Sequence, residues 1–117
     1  IHQLEEESKD YDRMCLQIAL NYGGRAEIVQ AVNRLILEKK QIITEEDISS
    51  HLYTAGCPEP DLIVRTGNEQ RISNFLTWQS TYSEFHFSPK MWPDYTTDDV
   101  DFAVRDFAGR GRRWGGV

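Results

Sequence analysis

Arg65 and Arg71 stand six positions apart around Thr66-Gly67-Asn68-Glu69-Gln70, and Ser73 follows two residues later. Planar guanidinium forks bind phosphate oxygens in pairs, a hydroxyl fills a further acceptor site, and a glycine lets backbone N–H groups come close. Together these groups match the needs of a diphosphate. The same residues also admit a purely structural reading, in which Glu69 pairs with either arginine and ties the loop shut. Spacing alone leaves both open. Glu84 is a carboxylate that could share a divalent cation with a second one, although a single carboxylate at a strand start is more often solvated or ion-paired. His86, between Phe85 and Phe87, reads as a hydrogen-bonded strand histidine, and His2 and His51 have no partner at metal-ligand spacing. No Walker A, GxGxxG, HExxH or GxSxG pattern occurs.

The elements that must carry these residues follow from hydrophobic period. Cys15-Leu16-Gln17-Ile18-Ala19-Leu20 is a short apolar run that stops at Asn21-Tyr22-Gly23-Gly24. That pattern suits a strand buried on both faces of a parallel sheet, with Cys15 a small buried hydrophobe. From Arg25 the period becomes helical, with Ile28, Val29, Val32, Leu35 and Ile36 on one stripe. A second helix starts after Thr44, an N-cap followed by Glu45, Glu46 and Asp47, and runs on to Gly56 and the prolines. Residues 61–67 repeat the pattern of a buried strand entering a glycine turn. Residues 73–80 suit a short helix, and 84–87 a third strand. A last helix is capped by Thr97, with Val100, Ala103, Val104, Phe107 and Ala108 as its apolar stripe. Trp78, Trp92, Phe102 and Phe107 are read as core or interface residues. Strands alternating with helices predict an open parallel α/β sheet, whose ligands bind beyond the C-terminal strand ends. Both glycine turns lie there.

The chain has 117 residues, 39% of them hydrophobic, which suits a single folded domain, and no apolar run approaches the ~20 residues of a membrane span. A net charge of −6 argues against nucleic acid as a partner. Against that acidic body, residues 105–117 carry four arginines and Asp106 alone, a local +3 that suits a contact with an anion. Two distant cysteines predict neither a disulfide framework nor a zinc site, and reduced thiols point to the cytoplasm. No signal-peptide pattern is visible at residues 1–7, and the chain, which opens on Ile1, is expected to begin inside a longer protein.

Taken together, Leu20-Asn21-Tyr22-Gly23-Gly24-Arg25, the run from Arg65 to Leu76, Trp78-Gln79, Tyr82-Ser83-Glu84, Trp92-Pro93 and Arg112-Arg113-Trp114-Gly115-Gly116 resemble the cis-prenyltransferases, above all the bacterial undecaprenyl diphosphate synthases. The resemblance spans nearly the whole chain in order and spacing. It implies a parallel sheet wrapped by helices, of which residues 1–117 are the C-terminal part of a single domain. It further implies an enzyme that condenses isopentenyl diphosphate onto farnesyl diphosphate with Mg²⁺, making a long polyprenyl diphosphate of the undecaprenyl lipid-carrier type. Carried over, it assigns Arg65, Arg71 and Ser73 to the isopentenyl diphosphate, Glu69 to their loop network and Glu84 to the metal. Arg113 and Gly115 would reach the neighbouring subunit of a homodimer. Asn68 stands where many members have a second glycine, and Asn is among the residues that best tolerate left-handed backbone. The family's N-terminal motif, which supplies the catalytic aspartate, has no match here, so this part alone is expected to be inactive. The lipid product makes peripheral membrane contact an expectation too. A non-catalytic accessory subunit is the alternative, and the retained Arg65, Glu69 and Arg71 weigh against it.

Overall fold

The computed structural model describes residues 2–111. In chain order they form α1 (His2–Ser8), α2 (Gly24–Leu37), α3 (Glu45–Ser49), β1 (Leu62–Arg65), β2 (Glu84–Phe87) and α4 (Thr97–Ala108), with a 3-10 turn at Trp92–Asp94. β1 and β2 pair in parallel, with Leu62 opposite Glu84 and Arg65 opposite Phe87. The two-residue period then puts Ile63, Arg65, Phe85 and Phe87 on one face, and Leu62, Val64, Glu84 and His86 on the other. α4 covers the second face, where the Phe102 ring meets the His86 ring edge-on at 5.7 Å. This is the parallel α/β arrangement the alternating pattern predicts.

α2 packs beside α3 around Ala31 and Leu35 of α2 and Leu52, while Ala103 buries α4 against the sheet. Two capping boxes start the later helices. The Thr44 N–H donates to the Asp47 carboxylate at 2.9 Å and the Asp47 N–H returns to the Thr44 hydroxyl at 3.2 Å. Before α4, the Thr96 N–H and hydroxyl both donate to Asp99 at 2.8 Å. A lysine closes each box, Lys40 on Asp47 at 2.9 Å and Lys90 on Asp99 at 2.6 Å. The lysine hydrogen bond first, and then the threonine bonds, hold each carboxyl down at about 2.

Several expectations are corrected. Residues 15–20 form no strand, because no described backbone pairs with them, and Cys15, Leu16, Ile18 and Leu20 are exposed. The buried line of α2 is Gly24, Glu27, Ala31 and Leu35, rotated from the apolar stripe so that Val29 and Ile36 face outward. α3 ends at Ser49, well short of Gly56, and successive turns replace its continuation. Residues 73–80 are turns rather than a helix, since Ser73, Asn74 and Leu76 have φ of +47°, +66° and +46°, which no right-handed helix accommodates. The cap of α4 is Thr96, one residue earlier than expected, because it is Thr96 that lies three positions before Asp99. Only Ala103 of the α4 stripe is buried, and Val100 and Val104 are exposed. Trp92 and Phe102 are exposed too, so of the core-or-interface reading only the interface part is left to them.

Candidate functional site

Arg65 is the last residue of β1, so its side chain leaves the sheet at the C-terminal strand end. The turn beyond it uses left-handed backbone at Gly67 (φ +88°) and Asn68 (φ +60°). Asn68 thus does what a second glycine would do there, as its tolerance of that region predicts. The Gly67 N–H donates to the Lys90 carbonyl at 2.7 Å and the Asn68 N–H to the Ser88 carbonyl at 3.0 Å. These bonds pin the turn to the segment that follows β2.

The loop then folds back over Arg65. One guanidinium nitrogen of Arg65 donates to the Ser73 hydroxyl at 2.9 Å and to the Arg71 carbonyl. Arg71 in turn pairs with Glu69, and both side chains of that pair are well exposed. Arg65, Glu69, Arg71 and Ser73 therefore form one connected cluster, and the ion pair that the sequence allows is made. An exposed pair of this kind contributes little and is readily screened, so the Arg71 fork can exchange Glu69 for a more highly charged phosphate. Beneath the cluster lies a cavity of about 180 Å³ lined by Ile63, Arg65, Arg71, Phe75, Phe85 and Phe87. An apolar floor under paired cations suits an anionic head group carrying a short hydrocarbon.

Glu84 stands apart from this cluster. It opens β2 on the α4 face, at the opposite end of the ladder from Arg65. Arg110 donates to Glu84 at 3.0 Å, to the Phe85 carbonyl at 2.9 Å and to Asp106 at 2.5 Å. Those bonds, the one to Asp106 foremost, push the Arg110 guanidinium up. Arg110 first and then His86, whose Nδ1 lies 3.2 Å away, hold the Asp106 carboxyl down. Among the described residues no three His, Cys, Asp or Glu side chains gather as a metal cluster. Glu84 is thus ion-paired and part-exposed, the commoner state of a single carboxylate at a strand start. A Mg²⁺ ion, which commonly takes one or two carboxylates and completes its shell with phosphates and water, would share that carboxylate with Arg110. Arg113 and Gly115 lie outside the described residues.

Two residues were not singled out from the sequence. Glu27, 1% exposed, accepts from the Tyr53 N–H at 2.7 Å, the Tyr22 hydroxyl at 2.5 Å and the Gln79 amide at 3.1 Å. Burial first, then Glu27, raise the Tyr22 phenol well above its ordinary value. Its sequence signal was a carboxylate three residues after Gly24 and four before Ala31, on the line of small residues. Asn74 is the second. Its main-chain carbonyl accepts the Gly24 N–H at 2.8 Å and its side-chain oxygen the Arg25 N–H at 2.9 Å. A contact between residues so far apart in the chain leaves no local signal.

The prenyltransferase family model that describes undecaprenyl diphosphate synthases matches residues 1–115. The isoprenyl transferase of Fusobacterium nucleatum is 52% identical over 117 residues, covering 100% of this chain and 50% of that protein. That of Thermotoga maritima is 48% identical, covering 98% of this chain and 51% of the relative. Among solved structures, a probable undecaprenyl diphosphate synthase from Campylobacter jejuni superposes with a TM-score of 0.84 at 37% identity, over 98% of this chain and 54% of that one. The lavandulyl diphosphate synthase of Lavandula x intermedia, solved with dimethylallyl diphosphate, gives 0.92 at 35% identity, over 99% of this chain and 52% of that one. The chain spans about half the length of the curated relatives it matches. With the motif run, the parallel α/β fold and these likenesses in agreement, the chain belongs to the cis-prenyltransferase family of undecaprenyl diphosphate synthases.

Proposed function

We propose that residues 1–117 are the C-terminal part of one cis-prenyltransferase domain, and that they bind isopentenyl diphosphate and supply the contact between subunits of a homodimer. The whole protein would condense isopentenyl diphosphate onto farnesyl diphosphate to a long polyprenyl diphosphate, a lipid-carrier precursor. The observation that carries this reading is the Arg65–Ser73–Arg71–Glu69 cluster at the C-terminal end of a parallel strand, over an apolar floor. Arg65 and Arg71 would bind the diphosphate oxygens, Ser73 would donate its hydroxyl, and Glu69 would hold Arg71 until the substrate arrives. Glu84 would hold Mg²⁺, which when bound offsets the charge that develops on a departing allylic diphosphate. Arg113 and Gly115 would reach the neighbouring subunit. Cytoplasmic placement with peripheral membrane contact fits a soluble substrate and a lipid product.

Calorimetric titration of isopentenyl diphosphate into the full-length protein tests the central assignment. Arg71→Ala should weaken binding by more than about tenfold, the scale of a lost charge-assisted contact. Unchanged affinity overturns it. The retained arginine cluster also disfavours an accessory subunit, which would have no substrate of its own to hold there.

A further inference from the structure

The two glycine turns meet in space, and Asn74 joins them. Its backbone sits at φ +66°, directly after Ser73 at φ +47°, so both residues are held in a region where L side chains are uncommon. α2 holds Asn74 there. The main-chain carbonyl of Asn74 takes the Gly24 N–H at 2.8 Å and its side-chain oxygen takes the Arg25 N–H at 2.9 Å. Gly23, the N-cap of α2, makes no side-chain cap bond, so Asn74 does from a distance what a serine or aspartate at that position would do. The glycines make room for this contact. A Cβ on Gly23 would stand 2.9 Å from the Asn74 amide nitrogen, and one on Gly24 would stand 2.3 Å from the Thr77 hydroxyl and 2.9 Å from its backbone nitrogen.

We infer that Asn74 is a positioning residue for the diphosphate site: by capping α2 it fixes the left-handed backbone that aims the Ser73 hydroxyl at Arg65. Three facts converge on this. Ser73 meets Arg65 at 2.9 Å where the chain reverses at residues 73–74. That reversal costs conformational energy and persists where surrounding contacts over-determine it. The contacts that do so run from Asn74 to α2, a helix 14 residues long and anchored by its buried residues. The inference rests on the reading of this cluster as an isopentenyl diphosphate site.

The test compares Asn74→Ala, Asn74→Gly and Arg71→Ala in the full-length protein, by steady-state kinetics, isopentenyl diphosphate titration and thermal melting. Asn74→Ala should raise KM and Kd for isopentenyl diphosphate about five- to tenfold while kcat moves less than about twofold. Asn74→Gly keeps the main-chain acceptor and the left-handed freedom, and should give a smaller rise in the same constants. Should Asn74→Ala fail to fold, Asn74→Gly decides on those constants. A lower melting temperature with KM and Kd unchanged in the asparagine variants, while Arg71→Ala loses binding, overturns the positioning role and leaves the diphosphate site standing. Unchanged binding in Arg71→Ala overturns the site itself.

Discussion

The buried carboxylate of Glu27 accepts the backbone N–H of Tyr53 at 2.7 Å, across 26 positions of chain. That bond ties α2 to the turn after α3. The Tyr22 hydroxyl and the Gln79 amide meet the same carboxylate, so one acidic side chain organises three separate segments.

Replacing Glu27 by alanine takes the acceptor from the part-buried Tyr22 and Tyr53 donors, while the Gln79 amide keeps its bond to the Thr54 hydroxyl at 3.0 Å. A buried donor left unpaired costs about 1–3 kcal/mol, and with two part-buried donors losing their partner Glu27→Ala should destabilise the fold by about 2 kcal/mol or more. Glu27→Gln keeps one acceptor oxygen and should cost less. Urea denaturation of both variants checks the order, and equal midpoints would contradict it.

Acid should loosen the helix starts. The carboxyls of Asp47 and Asp99 are held near 2, against an ordinary 3.8. Their contribution is therefore complete above the ordinary value and fades as pH falls from there through about 2. His51 works in the opposite sense. Its ring, 3.1 Å from Glu38 and raised above 6.5 chiefly by that contact, adds stability below 6.5 and loses it as pH rises through the raised value. NMR titration of the Asp47 and Asp99 amides and of the His51 ring should show both trends.

Arg110 holds the end of α4 to β2 through Glu84, Asp106 and the Phe85 carbonyl. In Arg110→Met the Asp106 carboxyl should titrate closer to its ordinary value, since its largest influence is gone. The melting temperature should fall as well. A carbon-detected titration that finds Asp106 unmoved would contradict this account of the contact.

The arginine–tryptophan–glycine tail is expected to act across subunits. Removing residues 112–117 from the full-length protein should cut turnover by at least about tenfold, on the scale of lost transition-state contacts, and leave the proposed homodimer intact by sedimentation. Full activity after truncation would refute that role.

The 117-residue chain alone, given farnesyl and isopentenyl diphosphates with Mg²⁺, should show no prenyl transfer. Radiolabel incorporation into a longer lipid would mean that the residues that ionise the allylic substrate lie within it.

Local chemistry was readable from the residues. The Thr44–Asp47 box, the Arg65 strand end and Asn68's left-handed turn all follow from side chains near in sequence. Arg65, Arg71 and Ser73 were near enough for their meeting to be foreseen. What was hidden depended on distant partners. The apolar run at 15–20 carries a strand's composition, but a strand also needs a neighbour for its N–H and C=O groups, and none of the described residues pairs with it. Of the buried line of α2, Leu35 lies on the apolar stripe the sequence shows. Gly24, Glu27 and Ala31 were hidden behind larger aliphatic residues, because close approach of that end of α2 favours small side chains and a satisfied acid over bulk. Composition likewise could not show that Glu84 and Arg65 sit on opposite faces; only the register of β1 and β2 does that.

Leu16, Ile18 and Leu20 stand open to solvent beside Tyr22, Phe75 and Leu76, around a hollow of about 570 Å³. A strip of that kind is adhesive. Backbone groups with no ladder of their own offer a template to any passing strand, and the aliphatic side chains reward whatever covers them. Handled by itself, the chain should bind hydrophobic dyes and self-associate as its concentration rises. Its colloidal behaviour would then be governed by this one strip more than by its acidic surface.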